Sequence, residues 1–379
     1  MRRPEEAAAG RPRTAPEATA CAGPGGPAPA RPMREEPARA EPAPAALPVP
    51  TESAPAGPAR GVLAHVVRAD DAPGPTLVVR RDRLPPGALA SGAELARLCQ
   101  ALARTPYAGV NKIALYGPSA GPARHAAALD YRFVQALPGG RFDFRTGCGH
   151  SLLACVVAEG RFGRTGGAVT VRALTTGDLV RCLRQPDGAY TLDFLRPPAA
   201  PGTLPTGRPV DLLDGVPATL VRYGNPYVLV DAAHLPPEAL RSRLLDLRAR
   251  AARHLGHPPA SPLPKIALFT RTGPGTLAVR ALTVGGWHPR LALTGAAAFA
   301  AAGAIGGTVV GGPVARLRTP GGGTVRVSAA PDRVRVHDKR ARLLGHVELP
   351  WPEGPLAYPR NGVNAHPRGT AFARSPLSR

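Results

Sequence analysis

TLVVRRDRLPPGAL, residues 76–89, comes back as YVLVDAAHLPPEAL, residues 227–240. Each reads as a short strand of branched residues, a turn, the same Leu-Pro-Pro and the start of a helix. Two more stretches repeat behind it in the same order. VNKIALYGPS (110–119) resembles LPKIALFTRT (263–272), and RTGCGHSLLACVV (145–157) resembles LTGAAAFAAAGAI (293–305). All three matches fall at an offset of about 150 residues, the period of a duplicated domain. Coincidence in an Ala/Gly/Pro-rich sequence is the rival explanation, but three matches in one order at one spacing favour duplication. The chain is expected to hold two copies of one domain, with its site in the cleft between them.

Around the repeat the pattern is mostly strands. GVLAHVV (61–67), TLVVRR (76–81), KIALYG (112–117), YRFVQAL (131–137), VTVRAL (169–174) and TVRVSA (324–329) are β-branched runs bounded by turn residues. Residues 88–104 and 235–255 carry apolar side chains at helical spacing, the second with Pro in its first turn. SLLACVVAEG (151–160) and AAAFAAAGA (296–304) are apolar all round, the mark of a buried helix. The fold class expected is α+β. Residues 1–60 and 352–379 have few large apolar side chains and are expected to be disordered. The body divides into 61–210 and 211–351, and the final strands are free to exchange between the copies.

The formal charge is +22, which raises nucleic acid as a partner. The arginines are dispersed, however, and no aromatic residues interleave with a basic stripe. The Arg, Ala, Gly and Pro excess reads as a base-composition bias, and a basic cleft suits a small carboxylate-bearing ligand. Nucleic acid is not expected, nor is a membrane, since the apolar run near 296–305 is too short to span one. Five cysteines at irregular spacing give neither a disulfide framework nor a metal signature. That usage, without a secretory h-region at the N-terminus, points to the cytoplasm.

Cys148 stands between Gly147 and Gly149 at the start of a buried helix. Glycines let a ligand approach the backbone, and a helix N-terminus favours the thiolate. A small core cysteine is the alternative. Lys112 precedes a buried strand in a chain whose 48 basic residues are nearly all Arg. An amine can be tuned into a base where a guanidinium cannot; a solvated strand-end charge is the alternative. Lys265 is its duplicate and stands equally between the two readings. Asn111, Thr146, His150, Asn225 and Thr294 are candidate ligand donors beside these turns, with Gly147, Gly149 and Gly295 providing close approach. His150 could instead cap the helix or be exposed. His125, His254, His257 and His288 show no ligand spacing and read as surface residues.

The ordered pieces Asn111-Lys112, Gly147-Cys148-Gly149, Asn225-Pro226, Pro264-Lys265, Leu293-Thr294-Gly295 and Gly307-Thr308-Val309 resemble the PrpF family across most of 61–351. That family includes 2-methylaconitate cis–trans isomerase and has the diaminopimelate-epimerase-like fold. The resemblance implies two pseudo-two-fold-related domains, each a curved sheet around a central helix. It also implies a cofactor-independent isomerase or tautomerase with Lys112 and Cys148 as its proton-handling pair and no metal. Two departures matter. VVRADDAPGPTLVV (66–79) stands where the family has a GGTSKG segment. Ala296, Ala297 and Ala298 also offer no second thiol, so a two-thiol racemisation is not expected.

The function expected is proton transfer on an unsaturated or enolisable carboxylic acid, in a specialised biosynthetic pathway and in a monomer or homodimer. A catalytically inactive carboxylate-binding or partner-binding relative is the alternative, and a nucleic-acid-binding protein a more distant one.

Overall fold

The computed structural model describes residues 61–350 except 85–86, 161–166, 260 and 284–285. The arm 1–60 and the tail 352–379 lie outside the described residues. All described residues belong to one compact unit, Ala56–Arg379.

The first half of the body contains β1 (Gly61–Ala69), β2 (Thr76–Arg80), α1 (Ala88–Leu102), β3 (Lys112–Pro118), β4 (Leu129–Leu137), β5 (Arg141–Asp143), α2 (Gly149–Gly160), β6 (Ala168–Ala173), β7 (Leu179–Arg184) and β8 (Tyr190–Phe194). The second contains β9 (Asp211–Leu213), β10 (Val216–Tyr223), β11 (Asn225–Asp231), α3 (Leu240–His254), β12 (Lys265–Gly273), β13 (Thr276–Thr283), β14 (Gly286–Trp287), α4 (Leu293–Gly303), β15 (Arg316–Arg318), β16 (Thr324–Ala330), β17 (Arg333–Lys339) and β18 (Ala341–Pro350).

The duplication read from the sequence is a duplication of topology. In the first half β1–β2 is antiparallel, β2–β3 parallel, β3–β4 antiparallel and β4–β6 parallel, and β6–β7 and β7–β8 are antiparallel. The same order of senses runs through β10, β11, β12, β13, β15, β16 and β17. An antiparallel β8–β17 pairing joins the halves. The last strand goes elsewhere: β18 pairs with β1 from Gly61↔Pro350 to Ala69↔Ala341. The end of the strand order is thus built into the sheet of the first half. In the second half the short strand β9 takes the corresponding place beside β10.

The parallel pairs β2–β3 and β11–β12 are covered on both faces, so their strands read as nearly continuous apolar runs. On the outside, Leu95, Leu98 and Leu102 of α1 pack on Leu77, Val79, Ile113 and Leu115. In the second half, Leu244, Leu247 and Ala251 of α3 pack on Val228, Val230, Ile266 and Leu268. On the inside, α2 and α4 share one core with the strands of both halves. Every residue of α4 is buried, as its all-apolar sequence requires.

The helix expected over 235–255 starts late. Leu235–Ala239 forms a turn, and Ala239 adopts a left-handed conformation (φ 55°, ψ 23°) that helix geometry excludes. The prolines 236 and 237 therefore precede α3 rather than occupy its first turn. No helix among the described residues is long and apolar enough to cross a membrane.

Candidate active site

The two central helices begin against each other. A Cβ on Gly149, the first residue of α2, would lie 2.6 Å from the Cβ of Leu293, the first residue of α4. Only glycine permits this approach. Asn225, fully buried, ties the two starts together. Its Oδ1 accepts from Gly147 N–H at 2.8 Å, and its Nδ2 donates to Gly147 O at 2.8 Å and to Thr294 Oγ1 at 3.3 Å. Gly224, at φ +76°, lets the chain pass Thr294, whose Cγ2 would be 2.7 Å from a Cβ there. Tyr131 Oη donates to the Cys148 carbonyl at 2.9 Å. Cys148 is thus fixed between two helix N-termini, whose first two N–H groups lie ahead of the helical hydrogen-bond ladder. Behind it lies an apolar wall of Leu152, Val180, Leu192 and Phe194.

The lysines arrive by symmetry. Lys112 opens β3 opposite Thr76, and Lys265 opens β12 opposite Tyr227, each at the first register position of its parallel pair. Both neighbours touch a central helix. Thr76 Oγ1 is 3.0 Å from Ser151 Oγ in the first turn of α2, and Tyr227 Oη would be 2.9 Å from a Cβ on Gly295 in the first turn of α4. Cys148 and Lys265 lie near enough to act on the charge of Lys112, and Cys148 on that of Lys265. Burial pushes the Lys112 ammonium below the ordinary lysine range; the Cys148 charge opposes this, and Lys265 and Arg68 add to it. Burial likewise lowers Lys265, against the pull of Cys148 and Asp143. Desolvated lysines with such neighbours can be neutral amines, and a neutral amine is a base.

The other candidates separate by what already holds them. Thr146 is buried and donates to Asp143 Oδ2 at 3.2 Å, while Asp143 also accepts from Arg145. The amide of Asn225 and the N–H of Gly147 are committed to each other, so both position Cys148 rather than offer a free donor. Thr294 and Gly295 are buried in the first turn of α4. Asn111 is exposed, and its carbonyl accepts from Gln135 Nε2 at 2.7 Å. His150 is neither exposed nor peripheral: it is 3% exposed, and its Nε2 has no hydrogen-bond partner. Burial, with Lys339 and Lys112 nearby, lowers its pKa to about 3.

His288 corrects the expectation of a surface histidine. It is partly buried, lies 2.7 Å through Nδ1 from the Arg290 carbonyl, and feels Lys265 and Lys112. Three further groups also escaped the sequence reading. Lys339 Nζ donates to Asp71 Oδ2 at 2.6 Å, and Arg290 Nη1 lies 3.5 Å from Asp71 Oδ1. The available signals were that Lys339 is one of only three lysines, and that Asp71 sits in the stretch that departs from GGTSKG. Among the described residues no group of three or more His, Cys, Asp or Glu is placed to hold a metal ion.

No protein-family model matches this chain, and no curated protein matches it in sequence. Solved structures do match. A methylitaconate-delta-isomerase is 22% identical, with 76% of this chain and 95% of that one covered, at a TM-score of 0.56. A probable proline racemase from Agrobacterium radiobacter K84 with bound carbonate is 15% identical over 76% and 92% of the two chains, at 0.49. A hydroxyproline epimerase from Agrobacterium vitis with bound trans-4-hydroxy-L-proline is 17% identical over 77% and 93%, at 0.47. The likeness to the first is one of fold. This chain has the α+β, diaminopimelate-epimerase-like fold that the family resemblance implied.

Proposed function

We propose that this chain is a PrpF-like isomerase that moves a proton on an unsaturated or enolisable carboxylic acid using its own side chains. The observation that carries the reading is that Lys112 and Lys265 open equivalent strands of the two halves, with Cys148 a charged neighbour of both. It is supported by the fold shared with a methylitaconate-delta-isomerase. In this account 61–210 and 211–351 are the two copies, with β18 crossing to the first.

The substrate carboxylate lies against the starts of α2 and α4, where the leading N–H groups and the positive dipole ends favour an anion. Lys112, as the neutral amine, takes an allylic or α proton. The resulting dienolate spreads its charge onto the carboxylate, which the helix ends stabilise. The Cys148 thiol returns a proton to another carbon, and the double bond has moved. Proton exchange between Lys112 and Cys148 resets the site. The lack of a thiol on α4 makes the roles asymmetric: the first copy does the chemistry and the second orients the substrate.

Nuclear magnetic resonance of unsaturated di- and tricarboxylates incubated with the protein tests this. Positional or cis–trans isomers are expected with the native chain and not with Cys148→Ala or Lys112→Ala. Isomerisation that persists in both variants refutes the assignment.

A further inference from the structure

The proton-transfer step leaves one ionic cluster unused. Asp71, in the β1–β2 loop, faces Lys339 at the end of β17 and Arg290 in the connection to α4. Lys339 is buried, at 3% exposure, and a bulge puts it there. Along β17, Val334 and Val336 point inward, so plain alternation would bury position 338 and expose 339. Instead the register slips between Val336 and Lys339, and Asp338 takes a left-handed φ of 55°. Asp338 is left exposed, held by Arg326 Nη2 at 2.8 Å, and Lys339 turns inward. Bulges re-aim side chains beside functional sites in this way.

A second observation points the same way. His150, whose buried Nε2 has no hydrogen-bond partner, is near enough for Lys339, Lys112 and Asp71 to act on its ring charge. A buried polar atom without a partner is costly, and a ligand that pairs with it removes that cost. Asp71 itself is 30% exposed, and its loop is tied down by Asp70 N–H to Arg340 O and Ala72 N–H to Ala69 O, both at 3.0 Å.

We propose that Lys339 and Arg290 form the receptor for a second carboxylate of the substrate, and that Asp71 is its internal stand-in, displaced when a di- or tricarboxylate binds. The inference rests on the carboxylate-isomerase reading and names its substrate class. Exchange of one carboxylate for another keeps the buried ammonium paired, which simple departure of Asp71 would not. The incoming carboxylate also gains a hydrogen bond from neutral His150 that Asp71 does not make. A monocarboxylate can fill the helix ends but not this receptor, so the cleft selects for a second acid group.

Calorimetric titration of the full chain with tricarballylate and with butyrate tests the proposal. Asp71→Asn removes the competitor from a partly exposed loop without removing bulk. It is expected to tighten tricarballylate by about tenfold or more, equivalent to one charged contact, and to leave butyrate unchanged. Lys339→Gln in the Asp71→Asn background is expected to abolish the gain, with a thermal melt to show that the chain still folds. An unchanged tricarballylate affinity in Asp71→Asn, including no detectable binding, overturns the proposal, as does an equal gain for butyrate. Because no turnover is read, the receptor can stand if the isomerase reading falls, and the reverse.

Discussion

Lys112 and Lys265 occupy the same register position in two copies of one topology, Thr76↔Lys112 and Tyr227↔Lys265, and each is held near Cys148 by the strand it opens. Two like charges so placed cannot both be comfortable, and a base is what the arrangement creates. Lys265 depresses Lys112, so its removal raises the Lys112 pKa. Activity that needs the neutral amine rises with pH through that pKa. Lys265→Met is therefore expected to move the acidic limb of the kcat/KM profile to higher pH. Lys112→Ala is expected to lower kcat by about a thousandfold, the usual scale of losing a general base.

Acid is expected to destabilise the fold through His150. Its folded pKa of about 3 lies below the ordinary histidine value of 6.5, so between these values the unfolded chain binds more protons. Stability is full above about pH 6.5 and falls as the pH drops toward 3. At pH 5 the loss from this residue is about 2 kcal/mol. Urea unfolding at pH 7 and pH 5 should show it in the native chain and not in His150→Gln.

Gly149→Ala forces a Cβ to 2.6 Å from the Leu293 Cβ, where no rotamer can give way. A loss of about 3 kcal/mol is expected from such overpacking, with activity falling as the helix starts separate. Leu293→Gly in the same chain removes the opposing Cβ and should recover part of the activity, read by turnover, with thermal melts following stability.

Asn225→Leu leaves the Gly147 N–H and C=O without their shared partner. Two unsatisfied groups cost about 3 kcal/mol. Asn225→Asp can still accept from Gly147 N–H but cannot donate to its carbonyl, so it should fall between the two in a denaturant titration.

Much of the fold is legible in the sequence alone. The repeated Leu-Pro-Pro, the paired Ile-Ala-Leu strands and the apolar helices reveal the duplication, because each copy must cover the same strand faces with the same kinds of residue. Lys112, Lys265 and Cys148 follow from their places in those repeats. What escaped is non-local or depends on one backbone angle. Nothing within 341–350 says that it pairs with β1, since the pairing spans nearly the whole body. The late start of α3 hangs on Ala239, and the inward turn of Lys339 on Asp338, two residues whose positive φ no side-chain pattern announces. His288 and Asp71 enter the site only because loops from different halves meet there.

Deuterium incorporation at carbon is the most direct test of proton transfer by Cys148 and Lys112. In D2O, the native chain incubated with itaconate, aconitate and related enolisable acids is expected to wash deuterium into an allylic or α position of at least one of them. Cys148→Ala and Lys112→Ala are expected to leave the same carbon protonated. Exchange that survives both substitutions at the native rate, or no exchange with any acid of the panel, contradicts the account.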